Sequence, residues 1–150
     1  MRIGIESSSR AIRPRPAALR RLVSGVLRAE GRRDLAVTVI LGDDPLLRGL
    51  NARFRGLDRA TDVLSFEAAG GPGESPGEVY LSLDRVAVQA RRYRTGPQRE
   101  LARLLVHGLL HLLGYDHRRD ADRARMRRRE RQLIRALARP GEPLFTLRNE

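Results

Sequence analysis

The sequence predicts an α+β fold: a small mixed β-sheet of about four strands packed with about five helices. Apolar residues recur at helical spacing in several segments, and β-branched or alternating runs stand between them. No internal repeat is present, and helices and strands mix without strict alternation, so the class is α+β with a small sheet packed against helices. A length of 150 residues suits one domain over residues 1–150, large enough for its own core.

Taken in order, residues 16–30 read as an amphipathic helix. Leu19, Leu22, Val23, Val26 and Leu27 fall at i, i+3, i+4, i+7 and i+8, and Gly31 is placed to end it. Residues 35–41 (LAVTVIL) are the clearest strand. Asp44 followed by Pro45 signals a helix start, and Leu46, Leu47, Leu50 and Phe54 line one side of that helix. Residues 63–66 and 78–83 give two more strands, separated by a glycine- and proline-rich stretch, 68–77, that reads as an exposed loop. From Leu83 a helix turns Val86, Ala87, Ala90 and Tyr93 inward. Thr95 and Gln98 match a capping box, and the next helix runs to about Leu113, where Gly114 supplies a left-handed stop. A last helix over 120–138 has its apolar stripe at Met126, Leu133, Ile134 and Leu137, with Pro140 beyond it.

Composition narrows the function. There are no cysteines, which excludes disulfides, a thiolate zinc site and a cysteine nucleophile, and fits a reducing cytoplasm. Neither a signal-peptide run nor an apolar stretch of membrane-spanning length occurs, so the chain reads as soluble and cytoplasmic. The formal charge is +12, carried by thirty arginines and no lysine. Arginine identity is what a GC-rich coding sequence gives, but net charge survives any lysine-to-arginine exchange and favours a polyanionic partner such as RNA, DNA or a ribosome.

All three histidines lie within HGLLHLLGYDH, residues 107–117. On a helix His107 and His111 share a face, and a break at Gly114 lets the chain return so that His117 reaches the same point. Three neutral imidazoles suit zinc, and three protein ligands with one open position is the arrangement of catalytic zinc. Asp116 is placed either to close the site or to orient a ligand. The spacing H-x-x-x-H-x-x-G-x-x-H also matches the ligands of the extended zinc-peptidase signature, except that Gly108 stands where those enzymes carry their glutamate base.

HGLLHLLGYDH, together with LNARFRGLDRATDVLSFE (50–67), PGEVYLS (76–82) and Met126 with Glu130, resembles the YbeY-type single-strand endoribonucleases, also described as rRNA maturation factors. The likeness spans about residues 35–137. Ala60 and Glu67 stand where that family often has prolines, and Glu78 where it more usually has aspartate. The resemblance implies a zinc-dependent hydrolase acting on RNA in rRNA maturation and ribosome quality control. It implies His107, His111 and His117 as metal ligands and Arg55 as a functionally important arginine.

The chemistry of these residues is consistent with that. A guanidinium at Arg55 can clamp two phosphate oxygens and never deprotonates, although an arginine at a helix end is ordinarily just solvated. Thr61 and Ser65 could bond a phosphate or sugar, or simply belong to a strand and its turn. Residues 118–139 carry ten arginines against three acids, a net of +7. Either this helix is a solvated face or it holds RNA backbone through residues such as Arg127, Arg128 and Arg129. Three tyrosines, three phenylalanines and no tryptophan leave little for extensive base stacking, with Tyr115 the aromatic nearest the histidines in sequence. Two routes to cleavage stay open, attack by a metal-activated water or by the substrate's own 2′-hydroxyl. Two rival functions also stand: a zinc peptidase, and a non-catalytic ribosome-binding factor with structural zinc.

Overall fold

The computed structural model describes residues 1–67 and 75–148. Among these the elements run β1 (Arg2–Ser7), β2 (Ile12–Pro14), α1 (Pro16–Ala29), β3 (Leu35–Gly42), α2 (Asp44–Arg55), β4 (Val63–Glu67), β5 (Ser75–Ser82), α3 (Leu83–Arg92), α4 (Pro97–Leu112), α5 (Asp120–Leu137) and β6 (Phe145–Leu147). The four-stranded mixed sheet has the order β1-β3-β5-β4, parallel between β1, β3 and β5 and antiparallel between β5 and the edge strand β4. β2 and β6 form a separate antiparallel ribbon.

Successive strand residues point to opposite faces, and this divides the core. Val37, Val39, Leu41, Val79 and Leu81 join α1 and α4 in the main apolar cluster. Ile40, Leu47 and Leu64 are buried outside that cluster, where α2 covers the other face. α1 buries Leu19, Leu22, Val23, Val26 and Leu27, as its periodicity predicts. α4 is the central helix, with Leu101, Leu104, Leu105, Leu109 and Leu110 fully buried, each contributing about 1.5–3 kcal/mol.

Several local expectations fail for identifiable reasons. Gly96, not Thr95, is the N-cap of α4, and no side chain caps it. Gln98 instead grips the chain before β6, accepting from Leu144 N–H at 2.8 Å and donating to the Phe145 carbonyl at 2.8 Å. On α3 only Val86 and Ala90 are buried, one turn apart facing α4; Ala87 points away and Tyr93 is the C-cap, 61% exposed. Residues 75–77, read as loop, belong to β5 because they pair with Leu35, Ala36 and Val37. The remaining part of that loop reading, residues 68–74, lies outside the described residues. On α2, Asp43 is the N-cap, leaving Asp44 to bind Arg85 and Ser82. Leu47 is buried there, but Phe54 is 58% exposed.

Candidate active site

α4 raises His107 and His111 from one face, one turn apart. The helix ends at Leu112, and Gly114 at φ +99° reverses the chain, a backbone conformation that only glycine adopts cheaply. Gly114 N–H donates to the His111 carbonyl at 3.0 Å and Tyr115 N–H to the Leu110 carbonyl at 2.9 Å, closing the turn. His117 is thereby returned to the other two. The ring centroids stand 4.8 Å apart for His107 and His111, 4.6 Å for His111 and His117, and 6.2 Å for His107 and His117.

Three imidazole nitrogens about 2.0–2.1 Å from one zinc, at tetrahedral angles, would hold their ring centroids roughly 5 Å apart. The observed spacings bracket that value. Among the described residues, no group of three or more His, Cys, Asp and Glu side chains is disposed to hold a metal ion as it stands. The fold thus supplies the ring spacing and not a finished coordination set. Two further features suit a cation here. Glu130 reaches from α5, buried, to accept a hydrogen bond from His107 Nδ1, which leaves Nε2 as that ring's free lone pair. His111 is held neutral at physiological pH: burial, then the neighbouring His107, His117 and Arg55, push its pKa down to about 4.

The loop that carries His117 is anchored from outside the site. Tyr115 Oη donates to Glu30 at 3.0 Å, Arg129 Nε donates to the other oxygen of Glu30 at 2.5 Å, and the Arg125 guanidinium lies 5.2 Å from the Tyr115 ring centre. Tyr115 therefore braces the loop. Asp116 is exposed and accepts from the Arg118 N–H at 3.0 Å.

Arg55, at the end of α2, reaches the edge strand: its Nη2 donates to the Ser65 carbonyl at 3.5 Å. Ser65 Oγ in turn donates to the Gly108 carbonyl at 2.7 Å, tying β4 to the histidine helix. Ser65 is thus committed to the fold, while Thr61 sits half-exposed in the loop before β4.

A cleft of about 390 Å³ opens beside His107 and His117, lined also by Arg103, Arg123, Arg127 and Arg131. Of the arginine triplet singled out in the sequence, Arg127 lines this cleft, Arg129 is bound to Glu30, and Arg128 is exposed outside it. Three consecutive helical residues cannot share a face, whereas 123, 127 and 131 recur every fourth residue and do. That spacing was readable in the sequence; Arg103, one turn before His107, was not assignable without knowing which face of α5 meets α4. A larger hollow of about 480 Å³, at the start of α2 among Asp44, Arg48 and Asp58, contains no histidine.

Gly108 separates this site from a peptidase. A Cβ there would lie 2.7 Å from Val79 Cγ1 and 2.8 Å from Val63 Cγ2, so position 108 is pressed onto the sheet. No glutamate fits at the place where the peptidase signature keeps its base.

A family model described as Endoribonuclease YbeY matches residues 5–138. Relatives called Endoribonuclease YbeY include one from Anaeromyxobacter sp. (strain Fw109-5), 48% identical over 136 residues, covering 88% of this chain and 71% of the relative. Another, from Pelotomaculum thermopropionicum, is 44% identical over 124 residues, covering 77% and 82%. The solution structure of TM1509 from Thermotoga maritima superposes with a TM-score of 0.61 at 26% identity, over 93% of this chain and 99% of that one. A model match over most of the chain and relatives of this identity lead to one conclusion: the chain belongs to the YbeY endoribonuclease family, hydrolases whose substrate is RNA.

Proposed function

We propose that residues 1–150 act as one zinc-dependent, cytoplasmic endoribonuclease domain that cuts single-stranded RNA in rRNA maturation and ribosome quality control. The observation that carries the metal reading is the spacing of the rings of His107, His111 and His117 together with the Glu130 carboxylate on Nδ1 of His107. These three histidines would hold the ion. Zinc bound there would place positive charge against a phosphoryl oxygen and lower the pKa of a water toward about 7. The chain's own residues do the rest. Glu130 fixes the tautomer and orientation of His107, and burial keeps His111 uncharged and available as a ligand. Arg55, beside the histidine turn, can clamp the non-bridging oxygens as negative charge gathers on them. Arg103, Arg123, Arg127 and Arg131 offer charge to the strand lying in the cleft, without reading its sequence.

Among the described residues no helix is long and apolar enough to cross a membrane. A family of RNA-cutting enzymes and a net charge of +12 support a ribosome or rRNA as the working partner.

The test pairs metal analysis with cleavage of single-stranded RNA for the wild type and His111→Ala. About one zinc per chain and cleavage in the wild type, both lost in the variant, is the expected result; equal cleavage by both preparations refutes the reading. A chelator should abolish cleavage and leave the circular dichroism spectrum in place, because α4 packs through Leu101, Leu105 and Leu109 without its histidines. Unfolding on chelation would instead favour a structural zinc. Product ends choose the nucleophile: attack by the 2′-hydroxyl requires a cyclic phosphate or its hydrolysis product.

A further inference from the structure

The end of α2 exposes apolar surface that neither the core nor the histidine site uses. Phe54, in the last turn, is 58% exposed, and Leu57, just past the left-handed Gly56 at φ +68°, is 42% exposed. The Phe54 ring lies 5.4 Å from Phe66, tilted by 59°, and Phe66 lies 5.8 Å from Tyr80 in an edge-on arrangement. These rings form one continuous run whose outermost member faces solvent. Two guanidiniums flank it, Arg53 at 5.2 Å from the Phe54 centre and Arg55 at 5.8 Å from that of Phe66. The run is joined to the histidine turn through Ser65, the neighbour of Phe66. Arg55 donates to the Ser65 carbonyl, and Ser65 Oγ donates to the carbonyl of Gly108, which follows His107.

The surroundings specify the occupant. Cationic flanks favour an anionic strand and an exposed ring favours a flat apolar face; an unpaired nucleobase on its phosphodiester backbone has both. We propose that Phe54, backed by Phe66 and flanked by Arg53 and Arg55, is a stacking site for one unpaired base of the RNA, on the strand that leads past Arg55 to the histidines. This rests on reading the histidine cluster as the cleavage site. A base inside a duplex has both faces covered by its neighbours, so only single-stranded RNA can use the site. Stacking therefore supplies strand selectivity without reading sequence, since every base offers a π-face.

The experiment uses the full chain with His111→Ala as background, so that binding is measured apart from cleavage. A single 2-aminopurine is walked along a single-stranded oligoribonucleotide. At one position its fluorescence should be quenched on binding. Phe54→Ala should remove that quenching and weaken binding about 5- to 150-fold, while Phe54→Trp keeps both. An abasic site at the quenched position should weaken the Phe54 protein by a similar factor and the Phe54→Ala protein hardly at all. No quenched position, equal affinity with and without Phe54, or an abasic loss of the same size in both proteins overturns the proposal. Cleavage by the His111→Ala background, seen as shorter product, would refute the metal reading while the affinities still decide the stacking site.

Discussion

Replacing Glu130 isolates what α5 contributes to the proposed metal centre. The Glu130 side chain is 8% exposed and accepts from Nδ1 of His107, a proposed metal ligand carried on a different helix. Without that acceptor, His107 can rotate and can place its proton on either nitrogen, so part of its population no longer presents Nε2. Losing a carboxylate that orients a metal-binding histidine costs about 10- to 100-fold in metal affinity, or about 1.4–2.7 kcal/mol. Glu130→Ala should fall in that range when zinc affinity is read by competition with a chromophoric chelator near neutral pH. Glu130→Gln keeps an oxygen acceptor of the same shape and should lose less than alanine. It also guards against a folding artefact, since it leaves no cavity. Zinc affinity within about twofold of wild type in Glu130→Ala would show that the carboxylate does not position His107.

The cleft arginines make a prediction that salt reads out. If Arg123, Arg127 and Arg131 each neutralise a phosphate, their triple replacement by glutamine should flatten the dependence of log affinity on log salt by about 2, from about 0.7 per phosphate on a single strand; Arg128→Gln, outside the cleft, should move the slope far less, and equal effects would remove the cleft from the RNA path. At the helix–sheet contact, Gly108→Ala should destabilise by about 1–3 kcal/mol in urea unfolding, because its Cβ has Val63 and Val79 in the way; an unchanged midpoint would mean that α4 has room there. Asp44 is held below its ordinary pKa of 3.8 by hydrogen bonds from Arg85, against the cost of its partial burial, with Ser82 assisting. A depressed carboxylate stabilises the fold fully above its unfolded pKa and loses that contribution as pH falls through the folded value. The wild-type advantage over Asp44→Asn, about 1–2 kcal/mol given solvent screening around Arg85, should be flat from neutrality to about pH 5 and shrink below about pH 4; an advantage unchanged at pH 3 would refute the ion-pair account.

What could be read from the sequence was local. The i, i+4 spacing of His107 and His111, and the glycine that turns the chain before His117, are short-range features, and the structure gathers those rings as the spacing predicts. The apolar period of residues 16–30 likewise became α1 with its whole stripe buried. The ribbon of β2 and β6 was illegible because each strand has three residues, too few to show a period, and they pair across more than a hundred intervening positions. β1 was missed for another reason. Ile3 and Ile5 alternate with Arg2, Gly4 and Glu6, but two apolar residues are too few to establish a period, and what makes the segment a strand is its parallel pairing with β3.

The residues whose roles could not be read from the sequence share one cause: each role is defined by a contact between elements. Glu130 matters because of His107, 23 positions away, and nothing in either helix's own period says which faces will meet. Gly108 read as a missing catalytic base until the sheet supplied Val63 and Val79, which show that a side chain at 108 has nowhere to go. Phe54 is the inverse case. Its helical spacing with Leu47 and Leu50 promised burial, yet the helix ends one residue later and leaves the ring exposed, with Arg53 over it and Arg55 over the neighbouring Phe66. A sequence consistent with its fold tends to break its own patterning where function requires it. An aromatic that satisfies the amphipathic rule and is nonetheless exposed, against a strand that Ser65 ties to the histidine helix, is therefore better evidence for an RNA contact than any count of arginines in a chain that has thirty.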